Sequence, residues 1–196
     1  VNYGYTQYHI NGYKGTIGFD QDLLYEVYFT ICKRLIDMGA KKIVFMNGHG
    51  GNSYVLKRVS MNLWYQYKVM GLILDWWSIA GMIKPEWEEL GHAGKPETAA
   101  MMYLFPQYVH TDKIQFSGYK TLAEGVETLG SATFMYDGIK YGIWLDTEDV
   151  TDSGNYGEDP KLATVEMGHD SVEAVIDKVS DFIVNKFTKM KVPGKN

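Results

Sequence analysis

The sequence contains little cysteine and no long apolar run. Cys32 is the only cysteine among 196 residues, so no disulfide can form within the chain, and we expect a reducing compartment, the cytoplasm. No stretch approaches the roughly 20 apolar residues that span a bilayer, and the opening residues do not form a signal peptide. We therefore expect a soluble protein with no membrane partner.

The sequence also lacks an excess of basic charge. Its net charge is -5, and its lysines and arginines are scattered, so we expect no nucleic-acid partner. Apolar residues make up 45% and charged residues 22%, a balance that is typical of a folded globular protein. The length predicts one domain over residues 1–196.

Apolar helices and strands alternate in the first half of the sequence. Residues 20–38 carry apolar side chains at helical spacing, which predicts a helix with Asp20 as its N-cap and Gly39 after its end. Residues 42–46 are a short run of β-forming side chains and predict a strand that is buried on both faces.

A second helix and strand follow in the same order. Asn52 or Ser53 can cap this helix, whose predicted core face is Val55, Leu56, Val59, Leu63 and Tyr67. Residues 72–77 predict the next buried strand. This alternating order of helices and strands predicts right-handed crossovers and a parallel sheet with helices on both sides. The predicted fold class is therefore α/β.

The second half of the sequence is less regular. A loop rich in glycine and proline precedes a predicted helix at residues 96–105. Asp137 and Gly138, between two β-forming runs, predict a hairpin. Asp159 and Pro160 predict the start of a last long helix.

A glycine-rich loop joins the first strand to the second helix, with the sequence Asn47-Gly48-His49-Gly50-Gly51-Asn52. Ligands of open parallel sheets bind outside the carboxyl ends of the strands, and His49 is the only loop side chain able to bind a metal or transfer a proton near neutral pH. A tight turn needs glycine in any case, so the local chemistry supports a structural loop equally well. The loop has neither the dinucleotide-binding spacing nor the lysine of a P-loop.

A second group of candidate residues lies downstream. His92 and Glu97 straddle the start of the predicted helix at 96–105, where one could bind a metal and the other transfer a proton. Taken alone, an exposed histidine and a glutamate that is stabilised by the helix dipole are the simpler interpretation. Of Trp76 and Trp77, at the predicted exit of the second strand, we expect one in the core and the other against a substrate ring.

Together these motifs resemble the creatinine amidohydrolase (creatininase) family. The resemblance rests on four motifs, which follow one another in the family's order: Gly15-Thr16-Ile17, the glycine loop with the preceding Phe45-Met46, His92-Ala93-Gly94-x-x-Glu97-Thr98, and Gly157-Glu158-Asp159-Pro160. They span nearly the whole chain.

The resemblance implies a three-layer α/β/α sandwich with a mainly parallel sheet, assembled as a homo-oligomer, usually a hexamer. It implies two divalent metal ions of the Zn, Mn or Fe type, with His49 and Glu97 as ligands, Glu97 also being catalytic. His92 is implied to pass a proton to the leaving nitrogen. The implied substrate-binding residues are Trp77, Asn47, Gly50, Gly51 and Asn52. Bridged metals generate hydroxide near neutral pH and polarise a carbonyl, which allows an amide C–N bond to be cut.

Two departures from the family pattern shape the expected function. Creatininase proper has a glutamate ligand where this chain has Gly51, so creatinine is not the expected substrate; branches with the Gly-Gly form act on formamides, precursor peptides or a keto-sugar.

The family's first strand ends in a Glu-x-His-Gly motif followed by an aspartate, and this sequence lacks both. A catalytic zinc usually has about three protein ligands. Either the opening βα unit is missing from the chain, or the chain is catalytically impaired.

The leading hypothesis is a metal-dependent hydrolase of a small polar cyclic amide-like or keto-sugar compound, which cuts non-peptide C–N or related ring bonds. The rival hypothesis is a non-catalytic oligomeric or ligand-binding relative that has lost its metal site. A nucleotide-binding enzyme is disfavoured because the glycine loop contains no lysine.

Overall fold

The computed structural model describes residues 4, 12–14, 16–88 and 91–192; Gly15, the first residue of the Gly-Thr motif, lies outside them. The chain divides into two compact units. The first comprises Val1–Gln7, Gly15–Trp76 and Asp177–Asn196, and the second Tyr8–Lys14 and Trp77–Ile176. None of the helices in the described part is long and apolar enough to cross a membrane.

The first unit contains the predicted alternation of helices and strands. Its elements are α1 (Gln21–Asp37), β1 (Lys42–Asn47), α2 (Asn52–Tyr67) and β2 (Met70–Asp75). The two strands are parallel, and their register runs from Lys42 opposite Met70 to Asn47 opposite Asp75. The predicted α/β class and the predicted parallel pairing are both confirmed.

Helix α1 begins and ends as its sequence predicts. The side chain of Asp20 accepts a hydrogen bond from the backbone N–H of Leu23 at 2.8 Å, which satisfies one of the N–H groups that a helix start leaves without a partner. Gly39 follows the helix with φ of 100°, a conformation that glycine adopts without strain.

The core of the first unit lies between the two helices and β1. It is formed by Leu24, Tyr25, Cys32, Ile43, Val55, Val59, Leu63 and Val69. The core face predicted for α2 is confirmed for Val55, Leu56, Val59 and Leu63, which are all buried. Tyr67, the last residue of the predicted face, is partly buried and packs against this core.

The prediction that β1 is buried on both faces is wrong. Ile43 is buried within the core, but Val44 is 38% and Met46 58% exposed. Successive side chains of a strand point to opposite faces. Among the described residues, the core helices therefore cover the Ile43 face and leave the Val44 and Met46 face open.

Burial of Cys32 makes its thiol unreactive. The side chain is 2% exposed, and desolvation raises the pKa of Cys32 to about 11. At pH 8 the native protein should therefore react with iodoacetamide about a hundredfold more slowly than an exposed cysteine, because the thiolate is the nucleophile. Unfolding in urea should restore the ordinary rate. A native rate equal to that of the unfolded chain would contradict the burial.

The second half of the chain combines helices with a small antiparallel sheet. Its helices are α3 (Trp76–Ile83), α4 (Lys95–Leu104), α5 (Thr147–Val150) and α6 (Val165–Asn185). Its strands are β3 (Val126–Thr128), β4 (Thr133–Tyr136) and β5 (Ile139–Gly142), paired in the order β3-β4-β5. The helix predicted at 96–105 is confirmed. So is the hairpin, whose turn residues Asp137 and Gly138 have φ of 51° and 74°, as a type I′ turn requires.

Two helix starts differ from the prediction. The strand predicted at 72–77 ends at Asp75, and Trp76 begins α3; β1 ends at Asn47, opposite Asp75, so the pairing stops there. The last long helix begins at Val165 and not at Asp159. The hydroxyl of Thr164, immediately before it, accepts from the N–H of Met167 at 3.1 Å, which is the capping geometry that starts a helix.

Candidate functional site

The glycine loop lies at the carboxyl end of β1 and leads into α2. The N–H of Asn52 donates to the carbonyl of His49 at 3.0 Å, and the N–H of Ser53 donates to the carbonyl of Gly50 at 3.1 Å. These bonds close the loop into a tight turn. Gly51 is the N-cap, not Asn52 or Ser53 as predicted.

His49 is half-buried within this turn. Its backbone N–H donates to Oδ1 of Asn47 at 3.2 Å, so the last side chain of β1 holds the backbone of the loop. A Cβ added to Gly48 would meet no atom within 4 Å. The space beside this glycine is therefore open, as the close approach of a ligand requires.

A groove of about 610 Å³ begins at Gly48 and His49 and follows β1. The strand lines it with the consecutive residues 43–47, and Ile31 and Leu35 of α1 line it as well. Consecutive strand residues point to opposite faces, so a groove that touches all of them runs along the backbone edge of the strand. In the described part of the chain, β1 pairs only with β2, and this edge of β1 has no strand beside it.

The second candidate group, in the second unit, is held by Tyr156 and the Gly157–Pro160 motif that follows it. His92 forms an antiparallel bridge with Tyr156. The N–H of His92 donates to the Tyr156 carbonyl at 2.9 Å, and the N–H of Tyr156 donates to the His92 carbonyl at 3.0 Å. The two rings lie 6.1 Å apart. A Cβ on Gly91 would lie 2.0 Å from the Tyr156 carbonyl oxygen, so this bridge requires glycine at position 91.

Lys95 attaches the start of α4 to the same segment. Its N–H donates to the carbonyl of Glu158 at 3.1 Å, and its ammonium lies 2.8 Å from the Glu158 carboxylate. The His92–Thr98 motif and the Gly157–Pro160 motif, more than 50 residues apart in sequence, are thus adjacent in the structure. His92 itself is exposed to solvent.

Glu97 shapes the turn between His92 and α4. It lies in the first turn of the helix, and its Oε2 accepts from the N–H of Ala93 at 2.6 Å. Ala93 has φ of 49°, an uncommon conformation for a residue with a Cβ that has to be held by its surroundings. The carboxylate of Glu97 contributes to holding it.

Sequence reasoning missed three residues that hold the candidate side chains. Tyr156 fixes the His92 segment, while Asp75 and Ser53 bond to Asn47 at the glycine loop. An acidic residue that ends an apolar strand is the signal that could have identified Asp75.

Trp77, predicted to line the substrate pocket, is partly exposed in the first turn of α3.

The described residues do not by themselves fit a metal centre. They contain no group of three or more His, Cys, Asp or Glu side chains placed to hold an ion. Imidazole nitrogen and carboxylate oxygen are suitable donors for Zn or Mn, so His49 and Glu97 fit in kind. Two ligands are fewer than the about three of a catalytic zinc site.

Comparison with known proteins agrees with this architecture. The family model for creatininase, creatinine amidohydrolase, matches residues 1–183. A candidate creatinine amidohydrolase from Bacteroides fragilis superposes with a TM-score of 0.73 and 20% identity, over 91% of this chain and 66% of that one. A solved creatinine amidohydrolase (creatininase) superposes with a TM-score of 0.69 and 22% identity, over 96% of this chain and 74% of that one. Solved creatininases include Zn-Zn and Mn forms.

A curated relative is similar in sequence. The mycofactocin precursor peptide peptidase of Mycobacterium ulcerans is 29% identical over 129 residues, which is 66% of this chain and 47% of that protein. The chain thus spans about half the length of the curated relative it matches. The α/β fold of this chain is similar to that of the solved creatininases. Because the family model covers nearly all of the sequence, the chain belongs to the creatininase family.

Proposed function

We propose that this chain is the larger part of a metal-dependent hydrolase that cuts a C–N or related ring bond in a small, polar, cyclic amide-like or keto-sugar compound. The observation that carries the proposal is His49 at the carboxyl end of a strand in a parallel pair. Ligands of such sheets bind at that end. We place the protein in the cytoplasm as a homo-oligomer, a hexamer by family resemblance.

The proposal divides the chemistry among named residues. His49 and Glu97 each supply one ligand to a divalent metal site of the Zn, Mn or Fe type, which holds two ions by family resemblance. When bound, such metals lower the pKa of water and polarise a carbonyl. His92, exposed and anchored through its backbone to Tyr156, donates a proton to the leaving nitrogen, since imidazole changes charge near neutral pH. Trp77, Gly50, Gly51 and Asn52 form the substrate-binding set, and Asn47, at the end of β1, supports the glycine loop.

The remaining ligands are proposed to come from an opening βα unit. The groove follows the edge of β1 that no strand within the described ranges pairs with, and it ends at His49. An added parallel strand there would bring its own carboxyl end beside the glycine loop. The open face at Val44 and Met46 would gain cover from the same unit. The single domain at residues 1–196 would then be a creatininase-like domain without its first βα unit.

The test compares this 196-residue chain with a version extended upstream through the coding sequence. Elemental analysis should find the metal retained in the extended protein, which should hydrolyse at least one compound from a panel of small cyclic amides and keto-sugars. Less than one metal per extended chain, with an intact oligomer mass and no turnover, would refute the hydrolase. It would favour the rival, a non-catalytic oligomeric or ligand-binding relative.

A peptide is the second candidate substrate. The curated relative is a precursor peptide peptidase at 29% identity, which supports an amide bond within a peptide as the alternative to one within a ring. Short peptides therefore belong in the same panel. Turnover of peptides alone would replace the small-molecule assignment and leave the hydrolase assignment in place.

A further inference from the structure

The carboxyl ends of β1 and β2 are joined by a compact hydrogen-bonded network. The side-chain amide of Asn47 donates from Nδ2 to Oδ1 of Asp75 at 2.7 Å and to the hydroxyl of Ser53 at 3.1 Å. That hydroxyl donates to the same Asp75 oxygen at 3.0 Å. Asn47 is 2% exposed whereas Ser53 and Asp75 are half-buried, so the Asn47 amide is withdrawn from water and would be costly to leave without hydrogen-bond partners.

The opposite side of the Asn47 amide faces the glycine loop. Its Oδ1 accepts from the N–H of His49 at 3.2 Å and from Nδ2 of Asn52 at 3.3 Å. A carboxamide has two N–H donors and two acceptor positions. All four are engaged within the protein, which leaves the Asn47 side chain no hydrogen-bonding capacity for a substrate in this arrangement.

Asp75 and the backbone N–H of His49 fix the orientation of the Asn47 amide from opposite sides. The Asp75 carboxylate oxygen can only accept, so the NH₂ group of Asn47 must face Asp75 and Oδ1 must face the loop. A flipped amide would set its NH₂ against the backbone N–H of His49, which can only donate, and would lose that bond. The orientation of the loop thus depends on an acceptor on the neighbouring strand.

We propose that Asp75 is a positioning residue that orients the His49 loop through Asn47 and Ser53, and that Asn47 serves this network and does not contact substrate. The inference deepens the proposed function, on which its catalytic consequence rests. A displacement of about 1 Å in a catalytic group can lower turnover about a hundredfold. An acceptor that fixes the loop therefore controls turnover without touching the reacting atoms.

The test uses Asp75→Ala and Asp75→Asn in the full-length protein. Asp75→Ala removes the acceptor, and we expect faster hydrogen exchange at the His49 amide and a kcat about tenfold to a hundredfold lower, with KM little changed. Asp75→Asn keeps a side-chain oxygen that can accept the same bonds. We therefore expect this variant to have nearly the wild-type exchange rate at the His49 amide and nearly the wild-type kcat. Asn62→Ala is the matched control, because it removes a part-buried bond from Asn62 to the Tyr25 hydroxyl, 2.9 Å long, in the same unit.

Two results would overturn the inference. One is wild-type exchange at His49 and wild-type kcat in Asp75→Ala. The other is a non-specific effect: Asp75→Ala and Asn62→Ala speed hydrogen exchange equally along the whole of α2, and kcat per folded molecule of Asp75→Ala equals that of the wild type. If the wild-type protein hydrolyses nothing, the proposed function fails, and exchange at the His49 amide still decides whether Asp75 positions the loop.

Discussion

A His49→Ala variant of the full-length protein is expected to lose bound metal and turnover together. His49 is the only loop side chain with a nitrogen donor for a metal, and the loop holds it at the end of β1 where ligands bind. Loss of residues that only support a metal ligand weakens metal affinity about 10- to 100-fold. Loss of a direct ligand should therefore weaken it by more than about a hundredfold.

The fold should survive this substitution. His49 is half-buried in the loop and lies outside the core cluster of the first unit. Alanine keeps the backbone N–H and carbonyl that bond to Asn47 and Asn52. Metal content by elemental analysis, hydrolysis rate and melting temperature should be measured on the same preparation. The melting temperature should be compared without metal, because a ligand that binds only the native state stabilises it.

His110→Ala is the matched control for His49→Ala. His110 is exposed, precedes the short 3₁₀ helix Thr111–Lys113, and belongs to none of the motifs of the candidate site. It should keep wild-type metal content and turnover. Full activity in a metal-free His49→Ala protein would refute the role of His49 and, with it, the proposed metal-dependent hydrolase.

Local patterns in the sequence predicted the elements whose cause is local. The cap at Asp20, the core face of α2 and the turn at Asp137-Gly138 were predicted correctly because each depends on side-chain chemistry within a few residues. The end of β2 was not predicted, since it depends on where the partner strand stops. Likewise, the exposed face of β1 depends on which elements cover it.

The candidate site shows the same division. The sequence identified His49, His92 and Glu97 as candidates, because few side chains bind metals or transfer protons. It did not identify the residues that hold them. Tyr156 lies 64 positions from His92, and no spacing rule links a backbone bridge across that distance. Asp75 became visible only when the parallel register set it beside Asn47.

The second large effect is expected from Gly168→Ala, in the contact between α4 and α6 of the second unit. A Cβ on Gly168 would lie 1.9 Å from the carbonyl oxygen of Ala99 and 2.5 Å from its carbonyl carbon. Both are backbone atoms and cannot rotate away. Alanine is favoured over glycine within a helix by about 1 kcal/mol, whereas overpacking costs typically about 1–3 kcal/mol and occasionally more.

The overlap should outweigh the gain in helix propensity. Because the contact is with backbone atoms, we expect an overpacking cost at or above the upper end of that range. The free energy of unfolding should therefore fall by about 2 kcal/mol or more in total. The urea midpoint should fall with an unchanged m-value. Gly142→Ala is the control, since its Cβ would meet nothing within 4 Å, and it should stay within about 0.5 kcal/mol of wild type. Equal stability of the Gly168 and Gly142 variants would contradict the close packing.

The same contact connects packing with the candidate site. Ala99 lies two residues after Glu97 on α4, and α4 must move away from α6 to admit a methyl group at position 168. Glu97 and its bond to Ala93 would move with the helix. Gly168→Ala should therefore lower kcat even at temperatures where the variant is fully folded. A fully folded variant with wild-type kcat would show that the contact between α4 and α6 does not control the position of Glu97.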